Sequence, residues 1–518
     1  MRKSRKLAPL CLVAVLLTVM LAGGCGKSPG RQAFEKAQNL EKEAMLTKAA
    51  AEYERAHDLF SEEGSKADAN KARRAAQSVS FIKEAYPDTR EEVSRKLAEQ
   101  FPDVPEEERE DWISSGELEH MTWDEELHYF EKAADNIWYR HLELTYQDEK
   151  MNQGNADYVR VLSELTSQNG NRPSWQPYSN PMTWTGAVSV NVPRPELPEK
   201  GLLKLWFPLP VDMGGAQNSV SVLSVSPEAY LKQPPSITAD LATAYFEVPL
   251  DELTDDLQVS VQFKFTHYQT NFEVDPANVG NYDQDSPSYE QYTRSYGNTR
   301  ITTEIRETAK EVAGGEKNPY LAARKLYDYI IEEIKYSFVP HETLWPRGEP
   351  ESVYVHRMKR GDCGAQAMYF VSLCRSLGIP ARTTGGWQLS TGNFISHFWA
   401  EFFLPNYGWI PVDTTYGASA NNTNLLTEQE KKAWRDFYFG NQDPLRCNIQ
   451  LDVDLETVPP MDGEPVGAMA IQDPTGTCAE MVEPLSLRLM EYTTKSAELV
   501  SGAHGPWSDG SWASTGSR

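Results

Sequence analysis

The stretch RGDCGAQAMYFVSLCRSLGIP, Arg360 to Pro380, decides how this chain is read. Gly361 and Asp362 break regular structure, and Ala365 to Leu377 is a strong helix former. Gly378-Ile379-Pro380 is a stop of the Schellman kind. Cys363 therefore falls at or just before a helix N-terminus. The partial positive charge there stabilises a thiolate and lowers its pKa from the free value of about 8.5. Cys374 lies further along the same helix and is assigned to its apolar core face.

A thiolate also needs a base. His397 and His504 are the histidines that follow Cys363. His504 lies in SGAHGPWSDGSWASTGSR, a tail with no periodicity, and adds nothing. His397 lies in SHFWAEFFLP, which reads as a strand with Ser396, Phe398, Ala400 and Phe402 on one face. Tyr407-Gly408 turns the chain, and Trp409-Ile410-Pro411-Val412-Asp413 forms the next strand. Adjacent antiparallel strands would bring Asp413 to His397, where an acid orients the imidazole and stabilises imidazolium. A lone His in an aromatic strand is usually structural. The joint pattern of Cys at a helix start, His on a strand and Asp on the next is what points to nucleophile, base and acid.

RGDCGAQAMYFVSLCRSLGIPAR followed by HFWAEFFLPNYGWIPVDTTYG resembles the transglutaminase-like superfamily of papain-type cysteine enzymes. The resemblance spans Thr302 to about Leu451 and includes FYFGNQDPLRCN; the β-rich stretch Trp184–Phe272 is similar to the domain that precedes the core in bacterial members. It implies Cys363 as nucleophile, His397 as base, Asp413 as acid, and acyl transfer from an amide without cofactor or metal. For the oxyanion, the Cys363 N–H is a natural donor. Tyr336, Trp345 and Tyr354 are candidates for a second donor. Arg382 is read as structural support.

Working outward, Asn318-Pro319 makes an N-cap and first-turn pair for a helix with Leu326, Ile330 and Ile334 buried. Asp283 and Asp285 lack the remaining ligands of a calcium loop and read as a solvated turn. Val188, Val190 and Val192, then Leu203, Leu205 and Phe207, then Leu257, Val259, Val261, Phe263 and Phe265 alternate as strands of a sandwich. Upstream, Ala49, Tyr53, Ala56 and Phe60, then Ala72, Ala75, Val79 and Ile82, recur at helical spacing as a hairpin, without a clean repeat period. Further helices are expected over Thr89–Gln100, Pro105–Ser114 and Trp123–Leu144. His128, Tyr129, Trp138 and Tyr139 read as core or groove lining, and His120, His128 and His141 show no metal spacing.

Arg2, Lys3, Arg5 and Lys6 precede an apolar run from Leu7 to Gly24, which reads as a secretory signal. Leu21-Ala22-Gly23-Gly24-Cys25 resembles the lipobox of bacterial lipoproteins, although Ala22 stands where Leu is commoner. That makes Cys25 the lipidation site and places the body on a membrane surface outside the cytoplasm, the outer membrane if the host has one. Cys363, Cys374, Cys447 and Cys478 then remain, and Cys447 could pair with Cys478.

The expected architecture is multidomain α+β: an N-terminal helical region, a β-sandwich-like domain, then a papain-like transglutaminase core. By residue, 1–24 is the lipoprotein signal peptide, 25–31 a lipidated tether, 32–147 the helical domain and 148–181 a linker. The β-sandwich-like domain follows at 182–275, the catalytic domain at 300–455 and a partly disordered tail at 456–518. The 518 residues carry a formal charge of −25, which argues against nucleic acid as partner and gives no support for docking the body on anionic lipid. Six cysteines are too few for a disulfide scaffold. Three functions compete. The first is an enzyme acting on peptide or other amide bonds. The second is an envelope scaffold whose helical N-terminal region recruits a protein partner and whose papain-like domain is silent. The third is a redox or metal thiol site, ranked last because no C-x-x-C pair or His cluster accompanies Cys363.

Overall fold

The computed structural model describes residues 27–167, 176–345, 348–390, 394–461, 470–481, 489–503 and 505. The signal, Cys25 and His504 lie outside the described residues. The chain divides into two units, Met1–Val79 and Ser80–Arg518. In the first, the helix Pro29–Lys42 packs along Leu46–Glu62. Ala49, Tyr53, Ala56 and Phe60 are buried as their spacing predicts, and Phe34 meets Tyr53 edge-on at 5.3 Å. Further on, Ala72 and Val79 are buried as expected, whereas the expected Ala75 and Ile82 are half-buried and Ala76 and Phe81 are buried instead.

The second unit opens with the helix Arg90–Gln100, started by a capping box of Thr89 and Glu92, and the helix Glu106–Ser114. The expected helix Trp123–Leu144 is not formed. His120–Trp123 and Glu126–Tyr129 make a hairpin whose turn residues Asp124 and Glu125 have φ of 49° and 70°. Short helices Ile137–Arg140 and Leu142–Gln147 follow. The expected linker is also corrected: Glu149–Ser167 is a helix whose Ala156, Val159, Leu162 and Leu165 are buried at spacings of three residues.

The sandwich has a first sheet in which Tyr178–Val192 and Leu257–Asn271 pair antiparallel along their lengths, with Gln217–Ser226 beside the latter. In its second sheet Leu202–Pro208 lies between Thr243–Pro249 and Thr475–Cys478. Thr493–Ser501 extends the first sheet along Tyr178–Val192. The segment read as a tail thus supplies a strand to each sheet. Cys478 ends one of these strands and Cys447 is buried elsewhere in the same core, and the two are not joined by a disulfide.

The region expected at 300–455 is built on a four-stranded antiparallel sheet in the order Gly408–Val412, Ile395–Leu404, Ala381–Gln388, Arg446–Gln450. The helix Cys363–Ser376 packs on it, buried along nearly its whole length. Gly378 closes that helix at φ 77°, and the Ile379 N–H reaches back to the Cys374 carbonyl, as a Schellman stop requires. Trp387, Leu389, Leu445 and Ile449 of this region join the sandwich core, so the two share one apolar interior rather than standing as separate domains.

Candidate active site

Asp362 is the N-cap of the Cys363 helix, its Oδ1 accepting from the Ala365 N–H at 3.0 Å. A parallel bridge of Lys335–Tyr336 to Arg360–Gly361 holds the chain just upstream. The first turn lies close on the sheet. A Cβ at Gly385 would stand 2.6 Å from the Phe398 ring, so that position needs glycine for the ring to sit between helix and strand, and one at Gly364 would press on the ring at 3.2 Å. The Phe398 and Gly364 backbone amides lie close enough to the Cys363 thiol to favour its charged form.

His397 is buried on its strand, against Tyr416 at 5.0 Å and Trp399 at 5.9 Å. Its Nε2–H donates to Asp413 Oδ2 at 2.8 Å. Asp413 does not lie within the next strand. It follows Val412 and caps the short helix Thr414–Ser419. Its Oδ1 accepts from the Tyr416 N–H at 2.9 Å and the Thr415 hydroxyl at 3.1 Å, and its Oδ2 also accepts from Arg446 at 2.6 Å. Burial pushes this carboxyl up, but His397 and Arg446 outweigh it and hold it well below the usual carboxylate range. An ionised Asp413 fixes the proton of a neutral His397 on Nε2 and leaves Nδ1 as the basic nitrogen.

Cys363 departs from the sequence expectation. Burial pushes its thiol up, the Asp362 and Asp413 charges add to this, and the two backbone donors only partly offset them. The helix start does not by itself bring the thiol below its ordinary value.

Cys363 and His397 line one cavity of about 690 Å³. Tyr336 lines it as well, with its ring 4.6 Å from Tyr139. Of the other oxyanion candidates, Tyr354 is buried in the helical core and Trp345 is not part of the lining. Arg382 lies in the sheet, paired with Glu401 at 2.6 Å and over the Trp409 ring at 4.2 Å. Among the described residues no group of three His, Cys, Asp or Glu could hold a metal ion.

Three features escaped sequence reading. Arg446, fully buried, spans Asp413 and Asp443 and lies 4.6 Å from the Tyr416 ring centre. The cavity wall facing the core comes from residues 139–159, with Tyr158 bonded to Tyr416 at 2.6 Å and to Ser390 at 2.8 Å. His341 stands between two carboxylates at the Cys363 helix cap. The charged pair in QDPLR, framed by aromatic and apolar residues, was the available signal for Arg446.

Residues 306–414 match the model of the transglutaminase-like superfamily, a span that contains Cys363 and His397 and ends one residue past Asp413. The likeness to that superfamily is one of residues 306–414. An uncharacterized protein of Haemophilus influenzae is 22% identical over 312 residues, covering 55% of this chain and 83% of that one. A protein-glutamine gamma-glutamyltransferase of Pseudomonas aeruginosa is 28% identical over 145 residues, 26% of this chain and 21% of that protein. The periplasmic domain of TgpA from Pseudomonas aeruginosa overlays with a TM-score of 0.23 at 15% identity, over 49% of this chain and 91% of that domain. The matched span thus accounts for the central site, and the helices and sandwich strands around it lie outside the family match.

Proposed function

We propose that the chain is a cysteine acyl-transfer enzyme that hydrolyses, or transamidates, peptide or other amide bonds. The observation that carries this reading is that Cys363 and His397 share one cavity while Asp413 occupies His397 Nε2. The thiol proton moves to Nδ1 as Sγ bonds the amide carbon. The carbonyl oxygen takes up the negative charge, with the Cys363 N–H and the Tyr336 hydroxyl as donors. The C–N bond then breaks as the imidazolium protonates the leaving amine. Water or a second amine attacks the thioester, and Sγ leaves and regains a proton. With burial pushing the thiol up, His397 acts as a general base at the moment of attack rather than as half of a standing ion pair.

In a screen of peptide amides, Cys363→Ala is expected to abolish turnover, and full turnover in that variant would sink the proposal. One observation favours the alternative of an envelope scaffold with a silent domain and a partner on its helical N-terminal region: the Cys363 thiol is pushed up, not down. Absence of turnover in the parent, with no reactivity at Cys363, would be its outcome.

We infer further that lipid on Cys25 anchors the protein in the cell envelope, supported by Leu21–Cys25. No helix of the described residues is long and apolar enough to cross a membrane. Palmitate labelling is expected in the parent and lost in Cys25→Ala; retained label would remove the lipoprotein reading.

A further inference from the structure

Behind the Cys363 helix lies a second histidine that the acyl-transfer steps do not use. His341 sits on the 3-10 turn His341–Thr343. Its Nδ1 is 2.6 Å from Glu351 Oε1 and its Nε2 is 2.6 Å from Asp362 Oδ2. With both carboxylates ionised, both nitrogens carry protons and the ring is an imidazolium; burial pushes the Glu351 carboxyl up against this, and the His341 charge offsets it. Glu351 is 1% exposed at the start of the helix Glu351–Met358, and its Oε2 has no hydrogen-bond partner among the described residues. Asp362 is the cap of the Cys363 helix. One cation therefore ties together the N-termini of two helices that would otherwise present buried carboxylates to each other.

We propose that His341 is a positioning residue whose charge, bridging Glu351 and Asp362, holds the capped first turn that carries Cys363. The proposal deepens the acyl-transfer reading and rests on it. Asp362 does two things at once: its Oδ1 caps the turn, and its charge opposes a thiolate at the next residue. The imidazolium compensates that charge without displacing the cap. Burial disfavours the cation, yet Asp362 and Glu351 outweigh it and hold His341 well above the usual histidine range. Other negative groups facing the bridge are Glu342 on the same turn, which acts on Glu351, and Asp454, which bonds Asn298 beneath Glu351 and is pushed up to about 6 by burial. Among the described residues, His341 is the cation paired with Glu351 and Asp362.

The test is iodoacetamide labelling of Cys363 in the full chain across pH 5 to 9, read by peptide mass spectrometry. His341→Gln is expected to slow labelling at pH 7 about tenfold and to move the half-maximal pH up by about one unit. Adding Glu351→Gln removes the opposed charge and is expected to bring the rate back to within about threefold of the parent, a coupling that a merely space-filling histidine would not show. A His341→Gln profile equal to the parent's overturns the proposal, as does a double variant that neither folds nor labels better than the single one. If the single variant does not fold, folding of the double variant supports the bridge and its failure overturns it. His397→Ala run alongside separates the two readings. Slowing by His397→Ala with no effect of His341→Gln defeats the bridge alone. Indifference to His397→Ala, with a His341→Gln loss rescued by Glu351→Gln, defeats the acyl-transfer reading and leaves the bridge.

Discussion

Arg446 shows how much the candidate site depends on a residue that never meets the cavity. It is fully buried, and it compensates Asp413 on one side and Asp443 on the other. The Tyr438 hydroxyl donates to the same Asp443 oxygen at 3.1 Å. Removing the cation leaves two carboxylates in an aromatic interior, so Arg446→Met is expected to cost about 3–5 kcal/mol of unfolding free energy. Denaturant unfolding at pH 7 checks this, and a loss below about 1 kcal/mol would mean the pair is solvated or exchanged for another partner. The sign of the pH effect follows from Asp413. Its folded pKa is depressed, so its stabilisation is complete above the unfolded value of about 3.9 and is lost as pH falls through the folded value. In the sequence, Cys363, His397 and Asp413 were legible because each sits beside a local signal: a breaker before a helix, an aromatic strand, a turn. Arg446 and His341 were not. All five residues of Arg446–Gln450 are buried, so no alternation singles out Arg446, and the partners of His341 lie 10 and 21 residues away.

Helices and strands were legible where one face meets one core. Asn318 caps the helix Pro319–Glu333 through bonds to the Tyr320 and Leu321 N–H groups, as the Asn-Pro pair predicts. The helix Glu149–Ser167 was missed because Asn152, Gly154 and Asn155 are weak helix formers and read as linker. Two of those residues explain why the helix is where it is. Asn152 Nδ2 donates to the Tyr146 carbonyl at 2.9 Å and to Asn424 at 3.0 Å, while its Oδ1 accepts from Thr423 at 2.6 Å. Asn155 donates to the Asn422 carbonyl at 3.0 Å. Their polarity docks the helix on the loop after Asp413, and that docking builds the cavity wall carrying Tyr158. Asn152→Ala, which strands these buried partners, is expected to lower stability by about 1–3 kcal/mol in thermal or denaturant unfolding. A neutral result would mean that the apolar stripe alone seats the helix.

At the scale of the molecule, the period-two pattern revealed sandwich strands but not how the sandwich closes. Thr475–Cys478 pairs with Leu202–Pro208 and Thr493–Ser501 with Tyr178–Val192, across roughly three hundred residues of chain. TTKSAELV alternates weakly, with Leu499 its one buried residue, so no local pattern marks it as a strand. The domain list broke down for the same reason. Trp387 stacks on Phe263 at 6.0 Å, tying the four-stranded sheet to the sandwich, and no linker composition separates them. The transglutaminase-like core is thereby set in a frame drawn from both ends of the second unit. What that frame is proposed to present is one acylatable sulfur. The measurement to make is capture of the acyl-enzyme. The full protein is mixed with p-nitrophenyl acetate at pH 7, quenched in acid and analysed by peptide mass spectrometry. An acetyl group on the Cys363 peptide, released by hydroxylamine and sharply reduced in His397→Ala, is the expected result. Acetylation absent from Cys363, or equal in the parent and His397→Ala, would contradict an acyl-transfer site at Cys363 and His397.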